Sequence, residues 1–175
     1  YYQREIKKMK KTQKRLGNKG FSLVELIVVI AIMAVLVGVL APTLVKNIEK
    51  SRESTDLQNL DTLRGAVVTA LSDENVNNKV GNGGTYTIST DSTSKKITVT
   101  ADSTATGGTE LQEALQDSMP SSISMKSKAA GTTAIKVTIS SEGAVSAYVG
   151  ASESAAVPCK NTKDSDGNAQ KLLSK

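Results

Sequence analysis

The 175-residue sequence contains no histidine and no tryptophan, one phenylalanine and one cysteine. The absence of histidine removes the commonest general base and the commonest metal ligand of proteins. The sequence also has no glycine-rich phosphate loop, no Ser/His/Asp set and no Cys/His metal cluster. These absences argue against an enzyme, and we expect neither a catalytic residue nor a cofactor.

Aromatic residues are scarce in most of the chain. Past residue 45 there are two of the four tyrosines, no phenylalanine and no tryptophan. The core must therefore be built from aliphatic side chains, each of which buries less area than an aromatic one. We expect a small head with a light core.

Basic charge is concentrated at the start of the chain. Residues 1–20 hold eight lysines and arginines against one glutamate, a charge of +7, whereas the whole chain carries +5, so the remainder carries −2. Positive charge beside a membrane segment marks the cytoplasmic side. We predict a cytoplasmic leader over 1–20 and an external head. A basic arm that binds nucleic acid is the disfavoured alternative, because the basic block lies immediately before the apolar segment. DNA binding by the head is not indicated either, because the head shows no basic footprint.

An apolar segment over 21–45 follows the leader, and Leu26–Val45 is a run of twenty residues without a charge. As a helix this run is about 30 Å long, the thickness of the hydrocarbon layer of a bilayer. Gly38 and Pro42 interrupt it, and they predict a bend. Glu25 lies at its start, where an ionised carboxylate needs a partner.

Residues 46–75 continue the helical pattern with one apolar and one charged face. We predict a single helix from about residue 22 to about 73. The predicted apolar face contains Ile48, Leu57, Leu60, Leu63, Val67, Ala70 and Leu71. The predicted wet face contains Glu49, Lys50, Arg52, Glu53, Asp56 and Asp61.

The sequence of residues 76–175 predicts a head rich in β-strands. Thr85–Thr90 and Lys95–Ala101 alternate polar and apolar residues around turn-forming residues and predict a hairpin. Ile135–Ser140 and Ala144–Gly150 predict a second hairpin. Two hairpins form an antiparallel sheet of about four strands, and one face of that sheet needs a cover.

A short helix near 110–118 is predicted between the hairpins, because Thr109 and Gln112 form a capping-box pattern. The tail from Pro158 to Lys175 shows no trustworthy period, and we predict no strand there. The predicted fold is α+β, with the outer half of the long helix covering the sheet.

The junction KGFSLVEL, Lys19–Leu26, resembles the processing signature of type IV prepilins, the class III signal. The features shared with that family are a basic leader that ends in Gly20, then Phe21, then Glu25 ahead of a long apolar run, with Pro42 inside the run. The resemblance implies cleavage between Gly20 and Phe21 by a prepilin peptidase and methylation of the new N-terminus. It also implies assembly of a helical homo-oligomeric filament by a dedicated membrane machinery.

The residues agree with this chemistry. Gly20 allows the close backbone approach that a peptidase needs. Cleavage would create an ammonium group on Phe21 that is mostly cationic at neutral pH. In a fibre core this charge and Glu25 would both be desolvated, and a buried charge persists only when it is paired. A neighbour's Phe21 ammonium against Glu25 would therefore fix the axial register of the subunits.

The resemblance implies a single-pass protein of the inner, cytoplasmic membrane that becomes part of an extracellular pilus. A pseudopilin of a type II secretion or DNA-uptake system is the first alternative. A surface protein with an uncleaved anchor is the second. A cleaved secretory signal is disfavoured, because the apolar run exceeds the usual 7 to 15 residues. Met9 would give a leader of twelve residues, a length nearer to that of the family.

Two features of the tail remain. Asp164, Asp166 and Asn168 resemble part of a calcium loop, but the closing glutamate is missing, so a solvated turn is favoured. Many Gram-negative pilins close a C-terminal loop with a disulfide, which the single Cys159 cannot form within the chain. A Gram-positive or divergent pilin fits better. The thiol of Cys159 is free, has an intermolecular partner, or has no role, and we favour the last.

Overall fold

A computed structural model describes residues 20–90, 96–119 and 123–175. Residues 1–19 of the predicted leader and the first hairpin turn lie outside these residues. In chain order the elements are α1 Leu23–Ala70, α2 Glu74–Val80, β1 Gly84–Thr90, β2 Ile97–Ala101, α3 Gly108–Ser118, β3 Ile135–Ile139, β4 Val145–Val149, β5 Pro158–Lys163, β6 Ala169–Lys171 and β7 Leu173–Ser174.

The long helix α1 has 48 residues and runs without a break through Pro42. It is three residues shorter at its end than predicted, because Asp73 starts a separate helix by accepting a 2.8 Å hydrogen bond from the N–H of Asn75. The predicted bend at Gly38 and Pro42 stays a prediction. The chain divides into two compact units, Tyr1–Pro42 and Thr43–Lys175.

The head contains a five-stranded antiparallel sheet with the order β2-β1-β3-β4-β7. Both predicted hairpins are present, with Ile88 opposite Val99 in the first and Val137 opposite Ala147 in the second. The α+β prediction is confirmed, but the predicted count of four strands is one too low. The fifth strand, β7, adds only two residues to the edge of β4.

The prediction of an irregular tail was also wrong, because β5 and β6 form a second, two-stranded sheet. Their sequence is polar, and only Cys159 and Thr162 of β5 are buried. Leu172 is fully buried and ties the tail to β4, since its carbonyl accepts a 3.0 Å hydrogen bond from the N–H of Val149. So few buried residues leave little periodicity in the sequence.

The core lies between the outer half of α1 and one face of the large sheet. Leu60, Leu63 and Val67 of α1 are fully buried in a cluster with alternating residues of β1, β3 and β4. The predicted apolar face is therefore largely correct, although Ile48 is 44% exposed. The predicted wet face is wrong at three positions, because Glu49, Glu53 and Asp56 are buried. Their partners are described below.

The short helix α3 was predicted correctly, but its cap was not. Gly107, in a left-handed conformation with φ of 74°, precedes α3, and no side chain caps the helix. The carboxamide oxygen of Gln112 instead accepts a 3.0 Å hydrogen bond from the N–H of Val99 in β2. The side chain that would complete the box is thus used to join α3 to the sheet.

Candidate processing and assembly site

The start of α1 places Glu25 beside the predicted cleavage point. The carbonyl of Ser22 accepts the first intrahelical hydrogen bond, 3.2 Å from the N–H of Leu26, so Ser22 is the cap residue of the helix. The carboxylate Oε2 of Glu25 accepts a 2.9 Å hydrogen bond from the N–H of Ser22. This contact is half of a capping box, and it also places negative charge at the positive end of the helix dipole.

The scissile pair lies just before this cap and is open to solvent. Phe21 is 86% exposed, and Gly20 is also exposed. A Cβ added to Gly20 would meet no atom within 4 Å. Among the described residues, packing therefore does not require a glycine at position 20.

The apolar segment from Phe21 to Val45 is exposed over its whole length. Large aliphatic side chains such as Leu36 and Leu40 are 54% and 61% exposed. The helix is long and apolar enough to cross a membrane. Gly38 also faces open space, with nothing within 4 Å of an added Cβ. An apolar surface of this size needs lipid or other apolar helices as a cover.

Three carboxylates form a row on the next part of α1, which we call the acidic ladder: Glu49, Glu53 and Asp56. They are 7%, 0% and 0% exposed. Among the described residues, no buried side-chain nitrogen or oxygen lacks a hydrogen-bond partner. The ladder therefore satisfies the rule that buried charges must be hydrogen-bonded.

Glu53 is the centre of the ladder and binds β5. Its carboxylate accepts hydrogen bonds from the N–H of Lys160 at 2.8 Å, the N–H of Asn161 at 3.0 Å and the hydroxyl of Thr162 at 2.8 Å. Burial raises the pKa of Glu53, but the hydrogen bonds from Thr162, Lys160 and Asn161 together outweigh it and leave the pKa below its ordinary value. The carboxylate is thus held in its charged form.

The other two members of the ladder bind the segment 123–131, which we call the lysine loop. The carboxylate of Asp56 accepts from the N–H of Lys126 at 2.7 Å and from the N–H of Ser127 at 2.8 Å. Glu49 accepts from the N–H of Lys128. On the lysine loop both carboxylates therefore bind backbone N–H groups and no side chain, so they fix the path of the loop and leave the lysine ammonium groups out of these bonds.

Cys159 lies next to the ladder and is 2% exposed. Burial, followed by the negative charges of Glu53 and Asp56, raises the pKa of its thiol to about 11. The thiol is therefore protonated and covered in the folded head. This agrees with a small packed side chain and disagrees with an intermolecular disulfide in the folded state.

The proposed calcium residues lie in the turn that joins β5 to β6. The carboxylate oxygen Oδ1 of Asp164 accepts hydrogen bonds from the N–H of Asp166 at 3.0 Å and the N–H of Asn168 at 2.9 Å. This oxygen is occupied by the turn itself. Among the described residues no group of three or more potential metal ligands from His, Cys, Asp and Glu is present. Calcium binding stays a prediction, with this turn as its location.

The acidic ladder was not predicted from the sequence, whereas the processing roles of Gly20, Phe21 and Glu25 stay predictions. The missed signal is the spacing of the buried residues of α1, which alternates strictly between four and three. The buried residues in this series are Glu49, Glu53, Asp56, Leu60, Leu63, Val67 and Ala70. Position in this repeat, rather than chemical type, marked the three acids as members of the buried face.

A comparison with known protein families matches the part of the chain that contains Gly20, Phe21 and Glu25. Residues 15–41 match the family model described as the prokaryotic N-terminal methylation motif. The chain is also 31% identical over 104 residues to "Prepilin peptidase-dependent protein A" of Clostridium perfringens (strain 13 / Type A), an alignment that covers 59% of this chain and 71% of that protein. No solved structure matches. These likenesses agree with the exposed apolar helix, with Glu25 as half of its capping box, and with the α+β head. They show that the chain belongs to the type IV pilin-like family of prepilin-type proteins.

Proposed function

We propose that this chain is the precursor of a filament subunit, a type IV prepilin. A prepilin peptidase cuts the bond between Gly20 and Phe21, and the new N-terminus on Phe21 is methylated. The pilus assembly machinery then draws the subunit from the membrane into a helical homo-oligomer. The function is structural rather than catalytic.

The geometry of Glu25 carries this proposal. Within the described residues its carboxylate has one hydrogen-bond partner, the N–H of Ser22, and that partner is next in the chain to Phe21. Cleavage would create an ammonium group on Phe21, close to this carboxylate. Among the described residues the uncut chain offers Glu25 one neutral donor, whereas the cut chain offers a full opposite charge on its own N-terminus or on that of a neighbour.

The exposed apolar segment supplies the surface for both stages of the pathway. Before assembly it crosses the bilayer, where its length of about 30 Å suits the hydrocarbon layer. After assembly the same surface packs against the corresponding segments of other subunits. A monomer in water leaves this surface uncovered, so the proposed subunit exists in lipid or in a fibre.

Mass spectrometry of filaments sheared from the cell surface tests the proposal. We expect a mature chain that starts at N-methylated Phe21. For Glu25→Ala we expect the same processed N-terminus and no filaments, because the charge of the neighbour's ammonium group is left without a partner. Glu113→Ala, which removes an exposed carboxylate on α3, is the matched control and should assemble normally. Normal filaments from Glu25→Ala would contradict the register role.

The same experiment separates the alternatives. A mature chain that still carries residues 1–20 would indicate an uncleaved membrane anchor. Correct processing with only a short fibre confined to the cell envelope in electron micrographs would indicate a pseudopilin of a secretion or DNA-uptake system. Long surface filaments would support the pilin.

A further inference from the structure

The charges just beyond the apolar segment are sorted by sign. Within 46–56, all of which the structure describes, every acid belongs to the buried ladder, whereas Lys46, Lys50 and Arg52 are exposed. Arg52 forms an ion pair with Glu49 at 3.6 Å, and the structure gives no such pair for the two lysines. The surface of this stretch therefore carries positive charge.

The ladder brings more positive charge to the same level of α1. Because Glu49 binds the N–H of Lys128, the lysine loop passes beside the helix at that residue, and the side chain of Lys128 is exposed. The loop segment 123–131 contains no acid. Ile48, 44% exposed, adds an apolar side chain among these lysines. Exposed lysines around an exposed aliphatic group are the composition of a surface that meets lipid headgroups.

The distances along α1 set the reach of this surface. Counted from Val45, the last residue of the uncharged run, Lys50 lies about 7–8 Å and Glu49 about 6 Å further along the helix axis. The headgroup layer adds about 5–8 Å to the hydrocarbon on each side. Electrostatic attraction then extends roughly 8 Å further at physiological salt. Lys46, Lys50 and Lys128 lie within this range.

We propose that Lys46, Lys50 and Lys128 form a docking surface for anionic phospholipid headgroups on the outer side of the membrane, used by the subunit before assembly. The inference rests on the membrane stage of the proposed function. Lipid is favoured over another protein because the charges directly adjoin the end of the apolar run and decrease along α1. The acidic ladder has the supporting role: it keeps the three carboxylates of 46–56 off the exposed surface and holds the lysine loop beside α1.

Reconstitution of the full chain in nanodiscs tests this surface. One set of discs is zwitterionic and the other contains about 30% anionic phosphatidylglycerol, and lysine acylation rates are read site by site by mass spectrometry. We expect acylation of Lys50 and Lys128 to be about fivefold slower in anionic discs. The attraction of one lysine to an anionic surface lowers the population of unbound, reactive side chains by about that factor. High salt should remove the difference. Lys79, exposed beyond the far end of α1, should react equally in both discs.

Two matched variants sharpen the result. In Lys46→Gln/Lys50→Gln the protection of Lys128 should be lost, whereas Lys79→Gln/Lys96→Gln removes the same charge elsewhere and should leave it intact. Equal acylation of Lys128 in both kinds of disc, with the chain inserted in each, would overturn this inference alone. A chain that enters neither disc would overturn the membrane stage of the proposed function as well. Protection found only in assembled filaments would overturn the lipid surface and assign the lysines to contacts between subunits.

Discussion

Two glutamates of the same helix have opposite surroundings. Glu25 is exposed and accepts one hydrogen bond, from a backbone N–H three residues away. Glu53 is fully buried and accepts from groups that lie 107 to 109 residues away in the sequence. Within 20–90, 96–119 and 123–175 the chain supplies a set of donors for Glu53 and a single neutral donor for Glu25. The comparison separates a carboxylate that long-range contacts of the fold hold from one with a single local contact among the described residues, for which we propose a partner in the filament.

The same difference holds for the surfaces around them. Near Glu53 the helix is covered by the lysine loop and β5, while near Glu25 its apolar side chains are exposed. Substitutions should therefore affect the stability of the head only in the outer part of α1. Unfolding of the head by denaturant in detergent micelles tests this division. The unfolding is followed through the buried residues Tyr86 and Tyr148.

The largest effect is expected for Glu53→Ala. This change leaves the part-buried N–H groups of Lys160 and Asn161 and the buried hydroxyl of Thr162 without their acceptor, and an unsatisfied donor costs about 1–3 kcal/mol where it is fully buried. We expect the free energy of unfolding to fall by about 3–5 kcal/mol. Glu113→Ala, on an exposed face of α3, should change it by less than about 0.5 kcal/mol. A similarly small change for Glu53→Ala would remove the distinction between the two glutamates.

Leu63→Ala should be the next largest. Leu63 is fully buried against the sheet, and truncating a buried leucine costs about 2–5 kcal/mol. Leu36→Ala makes the same chemical change in the exposed apolar segment and should leave head unfolding unaltered, although it removes surface proposed for the fibre. Equal destabilisation by the two substitutions would show that the head depends on the inner part of α1.

Acid should weaken the head through Glu53. The pKa of Glu53 in the folded state lies below the ordinary value of 4.5. Its ionised carboxylate therefore makes its full contribution to the free energy of unfolding above about pH 4.5. The contribution is lost as the pH falls through the lowered pKa. We therefore expect the difference in unfolding free energy between the natural chain and Glu53→Gln to shrink below about pH 4.5, since protonated glutamate resembles glutamine. A difference that stays constant from pH 7 to pH 3 would contradict this.

The smallest effect is expected for Glu25→Ala on head stability. It removes one exposed half of a capping box, which is worth at most about 1 kcal/mol of local helix stability. The unfolding curve of the head should coincide with that of the natural chain. A shifted midpoint would mean that Glu25 supports the fold and is not reserved for a partner.

The sequence predicted the elements that have a strong period or a complete motif. Both hairpins alternate regularly, and the junction from Gly20 to Glu25 carries three specific residues at fixed spacing. The prediction of an exposed side chain was wrong at Glu49, Glu53 and Asp56, where tertiary contacts supply hydrogen-bond donors to the buried carboxylates. The prediction of a capping role for Gln112 was wrong for the same reason, because its side chain accepts from a strand N–H instead. Such contacts join residues distant in sequence, and no local pattern encodes them.

The acidic ladder also bears on how the head closes. The bond between Lys160 and Glu53 joins residues 107 positions apart, and the bond between Lys126 and Asp56 joins residues 70 apart. These connections restrain long loops, as a disulfide does, without any oxidation step. The only thiol, Cys159, is buried beside them and takes no part in a cross-link. These closing bonds therefore involve no oxidation, and we expect protonation of Glu53, rather than a reductant, to weaken them.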